Sequence, residues 1–328
     1  MRTAAPVKYV DRTTGETVVE SVMGDKALRF AYETLLGRTL WPVLFGSKLI
    51  SALMGRKYDS PRSKSAIAAL AAIPGCRPDE AEKPLADYAS FNEFFTRRLK
   101  SGARPLGEGV VSPADGRLRL YLNADLDQPF PLKGATRTLK EILNLQISTQ
   151  RHRDTEDSNI SPCLCDSVLK KEESPTVAQP PTSNLDIAVF RLAPVDYHRF
   201  HFPFDCETPE PAQVIAGKYH SVNPIALVKY PDVYADNERQ IVRCETAAGS
   251  AWLVDVGAFG VGTIVQTYAG AKHAKGDEKG YFKFGGSTVI LFAAAGALEF
   301  DADIVRNSAA GLETRVKALE KIAVFKGV

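Results

Sequence analysis

Lys283-Phe284-Gly285-Gly286-Ser287-Thr288-Val289-Ile290-Leu291-Phe292 is the stretch on which the fold turns. The apolar, β-favouring run from Val289 onward reads as a buried strand. Two adjacent glycines before it open backbone conformations that a Cβ would forbid. Ser287 therefore stands at the mouth of a strand, with rigid structure on one side and permissive backbone on the other. Such a place presents a serine to a reagent, or to the peptide bond just before it. Gly-Gly-Ser alone is also an ordinary turn, so its meaning depends on what the rest of the chain supplies.

Upstream of that stretch, short alternating or apolar runs punctuated by Gly, Pro and Asp extend from Val110 to about Phe300 and argue for a β-rich domain. Candidate strands cover 213–215, 240–244, 251–256, 262–268 and 288–293, while the periodicity of 312–324 fits a strand or a short helix. The texture fails across 148–184, a polar, charged, proline-bearing segment that lacks the apolar area to offset its ordering entropy and reads as a mobile insertion. Further upstream the pattern is helical. Leu28, Ala31, Tyr32, Leu35 and Leu36 mark one helix face, and a second segment from Pro42 carries Leu44, Phe45, Leu49, Leu53 and Met54, with Trp41 at its start. Arg29, Arg38, Lys48, Arg56 and Lys57 flank these positions. Two helices packed on a core and an interfacial membrane anchor both fit this pattern, and the residues alone favour the first. Ser90-Phe91-Asn92-Glu93 reads as a capping box. The expected fold class is α+β, a β-rich catalytic core with an amphipathic helical N-terminal region. The expected division is an extension over 1–24, a helical region over 25–100 and the β-rich domain over 101–328.

A chain of 328 residues with 45% hydrophobic and 24% charged residues is a folded protein, and a formal net charge of +2 gives no electrostatic case for a nucleic-acid partner. Cys76, Cys163, Cys165, Cys206 and Cys244 lack metal-finger spacing and read as free thiols in a reducing compartment. Residues 1–17 show no apolar core of the kind a signal peptide requires, and the apolar stretch 39–47 is too short to span a bilayer.

Two further segments supply partners for a reactive serine. Ser112-Pro113-Ala114-Asp115-Gly116-Arg117 places a carboxylate in a tight turn, although Asp-Gly after Pro is a common turn in its own right. Pro194-Val195-Asp196-Tyr197-His198-Arg199-Phe200-His201-Phe202-Pro203 holds two of the five histidines, with an acid and a tyrosine beside them. No third ligand at matched spacing supports a zinc site, so no metal is expected. On a regular strand Asp196 and His198 share a face and His201 points to the other, so a bend or bulge is expected if both histidines serve one site. Asp115, His201 and Ser287 make a carboxylate–imidazole–hydroxyl set of orienter, base and nucleophile.

Taken together, these motifs resemble the phosphatidylserine decarboxylase family, self-processing enzymes that carry a pyruvoyl group. The resemblance also rests on Tyr219-His-Ser-Val-Asn-Pro224, Asn237-Glu-Arg239, Val256-Gly-Ala-Phe-Gly-Val-Gly262 and Lys275 through Thr288, and it runs from about Ala27 nearly to the C-terminus. The family's cleavage motif usually reads Leu/Gly-Gly-Ser-Thr, and here it stands as Gly285-Gly286-Ser287-Thr288. The resemblance implies that Ser287 attacks the Gly286 carbonyl, with His201 as base and Asp115 orienting it. The chain would part into a β piece (1–286) and an α piece (287–328) that stay associated, and Ser287 would become the pyruvoyl cofactor. That ketone would form a Schiff base with phosphatidylserine, release carbon dioxide and give phosphatidylethanolamine. His198 would return the proton, with Asp196 as its tuner and Thr288 in support. The expected partners are phosphatidylserine in a membrane and the two pieces of one precursor, with a homodimer left open. A lipid substrate raises the standing of residues 26–56 as a peripheral anchor, expected at the cytoplasmic face of the cell membrane. A serine hydrolase built on Asp115, His201 and Ser287 is the main alternative, although no Gly-x-Ser-x-Gly elbow is present. A non-catalytic β-rich binding module and a pyruvoyl enzyme acting on a soluble amino acid are the others.

Overall fold

The computed structural model describes residues 7–20, 34, 48–145, 184–258, 264–285 and 287–327. Most of the two amphipathic segments, Gly286 and nearly all of the 148–184 insertion lie outside the described residues. Among the described residues the fold is α+β and dominated by one large sheet.

In chain order the strands are β1 (Lys8–Asp11), β2 (Thr17–Val19), β3 (Val110–Val111), β4 (Gly116–Ala124), β5 (Leu185–Leu192), β6 (Arg199–His201), β7 (Cys206–Glu207), β8 (Gln213–Ile215) and β9 (Arg239–Thr246). They continue as β10 (Gly249–Gly257), β11 (Ile264–Gln266), β12 (Lys272–His273), β13 (Glu278–Phe282), β14 (Ser287–Ala294), β15 (Leu298–Phe300), β16 (Glu313–Val316) and β17 (Lys321–Phe325). The large sheet runs β12-β7-β9-β10-β14-β5-β4-β16-β1-β2, with β8 beside β9; two small sheets run β11-β13-β6 and β15-β17-β3. The stretch 312–324, undecided by periodicity, resolves into β16 and β17 joined by a turn, with Leu319 at a φ of 66°.

β14 lies in the middle of the large sheet, antiparallel to β10 on one side and β5 on the other. Both of its faces are covered, which is why its sequence is a near-continuous apolar run. Val289 and Leu291 point into a core shared with Phe200, Phe202 and Phe282 of the β11-β13-β6 sheet. Ile290 and Phe292 point into a second core with Trp252, Tyr234 and Ile142. By the two-residue period of a strand, Ser287 opens toward the first core and Thr288 toward the second.

The N-terminal hairpin β1–β2 turns at Gly15, whose φ of 72° suits glycine, with the Asp11 carboxylate accepting from the Thr13 N–H at 2.9 Å. β1 pairs in parallel with β16, so residues 7–20 form the edge of the catalytic sheet. Helices α1 (Lys48–Asp59), α2 (Ser65–Ala71) and α3 (Phe91–Phe95) form a separate layer around Ile67, Leu70, Tyr88, Phe91, Phe94 and Phe95. Ser90 caps α3 by accepting from the Glu93 N–H at 3.2 Å. The Glu93 carboxylate reaches the Ala89 N–H and Lys83 rather than the Ser90 N–H, so half of the expected capping box forms. Cys76, Cys206 and Cys244 are free thiols, and Cys163 and Cys165 lie outside the described residues.

A buried ion pair ties the small sheet to the large one. Lys279 of β13 donates to Asp255 of β10, and both side chains are shut off from water. Gln266 gives the ammonium a second contact at 3.3 Å. Asp255→Ala strands that ammonium in the core and should cost about 3–5 kcal/mol in urea unfolding, whereas Asp255→Leu/Lys279→Met should recover most of the loss.

Candidate active site

Sheet register gathers the chemistry at one end of the large sheet. Ser287 begins β14 opposite Leu192 of β5 and Gly257 of β10. One step further along, Thr288 faces Arg191, and Arg191 faces Arg117 of β4. Asp115 lies two residues before Arg117, so Asp115 and Ser287 sit two strands apart at the same end, about 10 Å by ordinary strand spacing. The chain leaving β5 runs over this end as a turn and enters β6, carrying both histidines with it.

Ser287 is fully buried, and its Oγ has no hydrogen-bond partner among the described residues. A buried hydroxyl left in that state costs free energy unless another group or step uses it. Gly286, the other side of the expected scissile bond, lies outside the described residues.

His198 is also fully buried. Its Nδ1 lies 3.0 Å from the Asp196 main-chain carbonyl, which can only accept, so Nδ1 carries the proton and Nε2 is bare. Nε2 has no partner. Burial pushes the imidazole down to about 3; the Asp196 carbonyl opposes this shift, while the Arg97 charge adds to it. The ring packs on Phe95 at a centroid distance of 3.9 Å. The Phe282 N–H donates to the His198 carbonyl at 2.9 Å, which continues the β13–β6 ladder and sets His198 on the same face as Phe200 and Phe282. That is the face toward which β14 turns Ser287.

His201 points the other way. Its register partner is Glu278, and its ring stacks with Tyr197 at 5.9 Å. Nδ1 lies 3.0 Å from the Gly276 carbonyl and Nε2 lies 3.4 Å from the Tyr197 hydroxyl. Burial lowers its pKa, against the Gly276 carbonyl and the charges of Glu278 and Asp115. The expected bend between the two histidines does not form. The pairing shifts in β13 instead, between Glu278 and Gly280, and the histidines keep to opposite faces.

Asp115 comes close to His201, whose N–H donates to the Pro113 carbonyl at 2.8 Å. Its carboxylate, however, is taken by Arg104, at 2.8 and 2.6 Å, and by the Ala318 N–H at 2.7 Å. Burial would raise its pKa, but the Arg104 guanidinium outweighs that and holds the carboxyl below its ordinary range. The expected carboxylate–imidazole hydrogen bond is thus replaced by a bidentate ion pair, and Asp115 acts on His201 through its charge. Asp196 differs from expectation in a similar way. Its carboxylate binds Arg117 and the Ala193 N–H, while its main-chain carbonyl does the orienting of His198. Burial pushes the Asp196 carboxyl upward even with Arg117 against it. Thr288 is buried on the opposite face, toward Tyr234.

The helical layer clamps the chain just ahead of Gly286, through contacts that no local sequence pattern announces. Asn92 accepts from the Phe284 N–H at 2.9 Å and donates to Asp59 at 2.9 Å, and Asp59 pairs with Lys283 at 3.0 Å. The Phe284 ring meets Tyr58, Phe91 and Phe95 at 4.6, 4.9 and 5.1 Å. Phe95 therefore touches both Phe284 and His198, linking the glycine segment to the inward histidine. Phe91, Phe94 and Phe95, at helical spacing on α3, are the one local signal of such a cluster, and nothing in the sequence marks Asn92.

A buried, unpartnered serine and a buried imidazole with a bare nitrogen thus stand at one end of the large sheet, a pair of groups suited to chemistry away from water. A family model described as phosphatidylserine decarboxylase matches residues 91–324. A phosphatidylserine decarboxylase proenzyme of Clostridium beijerinckii is 36% identical over 315 residues, covering 94% of this chain and 96% of the relative. The proenzyme of Fusobacterium nucleatum is 37% identical over 320 residues, 96% of each chain. That of Desulfitobacterium hafniense is 35% identical over 324 residues, 97% of this chain and 98% of the relative. The chain belongs to the phosphatidylserine decarboxylase family of carboxy-lyases.

The depressed His198 pKa fixes a sign for acid stability. Below the ordinary value of 6.5 the unfolded chain binds a proton that the folded site refuses down to about 3. Stability from this residue is complete above pH 6.5 and drains away as the pH falls, at about 1.4 kcal/mol per pH unit. His198→Gln should flatten the fall between pH 6 and 4 by about that slope in urea titrations.

Proposed function

We propose that this chain is made as a precursor that cuts itself between Gly286 and Ser287, and that the pyruvoyl group formed from Ser287 serves the decarboxylation of phosphatidylserine to phosphatidylethanolamine. The observation that carries this reading is the Ser287 hydroxyl, buried and unpartnered at the first residue of a central strand. Its Oγ attacks the carbonyl carbon of residue 286 and gives its proton to an imidazole. The acyl group passes from nitrogen to oxygen. Loss of the Ser287 α-proton then expels the residue-286 carboxylate and leaves a dehydroalanine. Water replaces its nitrogen, which departs as ammonia, and residue 287 is left as a ketone.

Strand pairing accounts for the cut pieces staying together. β14 remains bonded to β5 and β10, and β16 to β4 and β1, all four of which belong to the 1–286 piece. The new group supplies an electron sink for the charge left when carbon dioxide departs. His198, neutral and with a bare Nε2 on the same face, is the residue set to handle the proton at that centre. His201, under the negative charge of Asp115, is assigned the proton of the scission step. A second reading gives that step to His198 as well, because His201 in the folded chain faces away from Ser287.

Three variants separate these roles by intact mass and carbon dioxide release. Ser287→Ala and His201→Ala should each accumulate as one uncut, inactive chain. His198→Ala should be cut, yet decarboxylate roughly 100-fold more slowly or worse. An uncut His198→Ala chain would transfer the scission step to His198.

The substrate class also assigns a place. Residues 26–56, an amphipathic, cation-flanked region, would rest in the lipid interface at the cytoplasmic face of the cell membrane. Among the described residues no helix is long and apolar enough to cross a bilayer. Leu53 on α1 stands 53% exposed, which suits insertion rather than core packing. Leu53→Glu should weaken flotation with phosphatidylserine vesicles and leave scission intact.

A further inference from the structure

We propose that Glu20 is a positioning residue for decarboxylation: from the N-terminal hairpin it holds the Arg117–Asp196 pair that aims the Asp196 carbonyl at His198. This rests on the reading above that His198 handles the proton at the reacting carbon.

Glu20 follows β2 directly, and its N–H donates to the Val7 carbonyl at 2.9 Å, closing the hairpin. Its side chain is only 5% exposed and lies between two arginines. Arg191 donates to Glu20 at 2.7 and 3.3 Å and also reaches Glu313 at 2.5 and 3.0 Å. The Nε of Arg117 lies 3.2 Å from Glu20, and another of its nitrogens donates to the Asp196 carboxylate. Arg117 and Arg191 are register partners on neighbouring strands. Like charges placed directly opposite repel, and burial strengthens that repulsion. Glu20 is the carboxylate that touches both, and so lets both guanidinium groups stay at that end of the sheet.

The consequence reaches the site in two short steps. The Asp196 carboxylate is held by Arg117 and by the Ala193 N–H at 2.6 Å, and these bonds fix the turn between β5 and β6. The carbonyl of the same residue takes the proton on His198 Nδ1, which leaves Nε2 bare. With Glu20 neutralised, Arg117 and Arg191 move apart, the Asp196 turn loosens and the His198 tautomer loses its fixed partner. Glu20 lies outside residues 91–324, so the hairpin adds a part to the site from beyond the segment that the family model matches.

The test uses the full-length, self-cut enzyme with phosphatidylserine in mixed micelles. Glu20→Gln keeps the shape of the side chain and removes its charge. We expect kcat about tenfold lower with KM unchanged, and a Glu20→Gln/Asp196→Asn double variant no slower than Asp196→Asn alone, because both act through one carbonyl. Unchanged kcat in Glu20→Gln, or losses that multiply in the double variant, would overturn the proposal. His198→Ala, measured alongside, separates the two levels. Normal turnover there removes the underlying reading and this inference with it, whereas loss there with a normal Glu20→Gln removes this inference alone. Scission itself reports folding of each variant. Should Glu20→Gln not accumulate, Glu20→Asp keeps the charge but draws the carboxylate back from both guanidinium groups and carries the same test, with a wild-type kcat again counting against the proposal.

Discussion

The double pairing of β14 is the constraint on which the rest of this structure depends. A strand bonded on both sides cannot shift by one residue without turning every side chain to the opposite core. Ser287 is its first residue, so the hydroxyl is held against Leu192 and Gly257 by the same ladder that buries Val289 through Phe292. The permissive backbone of the preceding glycines meets a fixed point there. The scission proposed above would fall next to such a point and leave the ladders of β14 with β5 and β10 intact.

Charge is managed at that end of the sheet by pairing rather than by solvent. Asp115 is bound by Arg104, Asp196 by Arg117, and Arg191 by Glu20 and Glu313. Buried ions of this kind add little net stability compared with apolar residues, but removing one partner is expensive. Their effect here is to hold main-chain groups in place, above all the Asp196 carbonyl that settles the tautomer of His198. The imidazole itself is kept neutral by burial, against the ring of Phe95.

The helical layer and the sheet meet at Phe284. Tyr58, Phe91 and Phe95 enclose its ring, and Asn92 holds its N–H. The helical layer therefore fixes the backbone two residues ahead of Gly286.

Local sequence pattern is enough to place the central strand, the β-rich texture, the mouth position of Ser287 and the opposite faces of His198 and His201. All of these follow from periodicities of a few residues, which local composition records directly. It also marked Asp115, His198, His201 and Ser287, because those residue types carry chemistry wherever they stand. Which of them touch depends on packing between distant parts of the chain. Arg104 claims Asp115, Gly276 and Tyr197 claim His201, and Arg117 claims the carboxylate of Asp196, through contacts that span up to 79 positions of the chain. Glu20 and Asn92 were silent in the sequence for the same reason. A carboxylate or carboxamide has no local signature of its partner, and the partner is chosen by sheet register and layer packing across the whole fold.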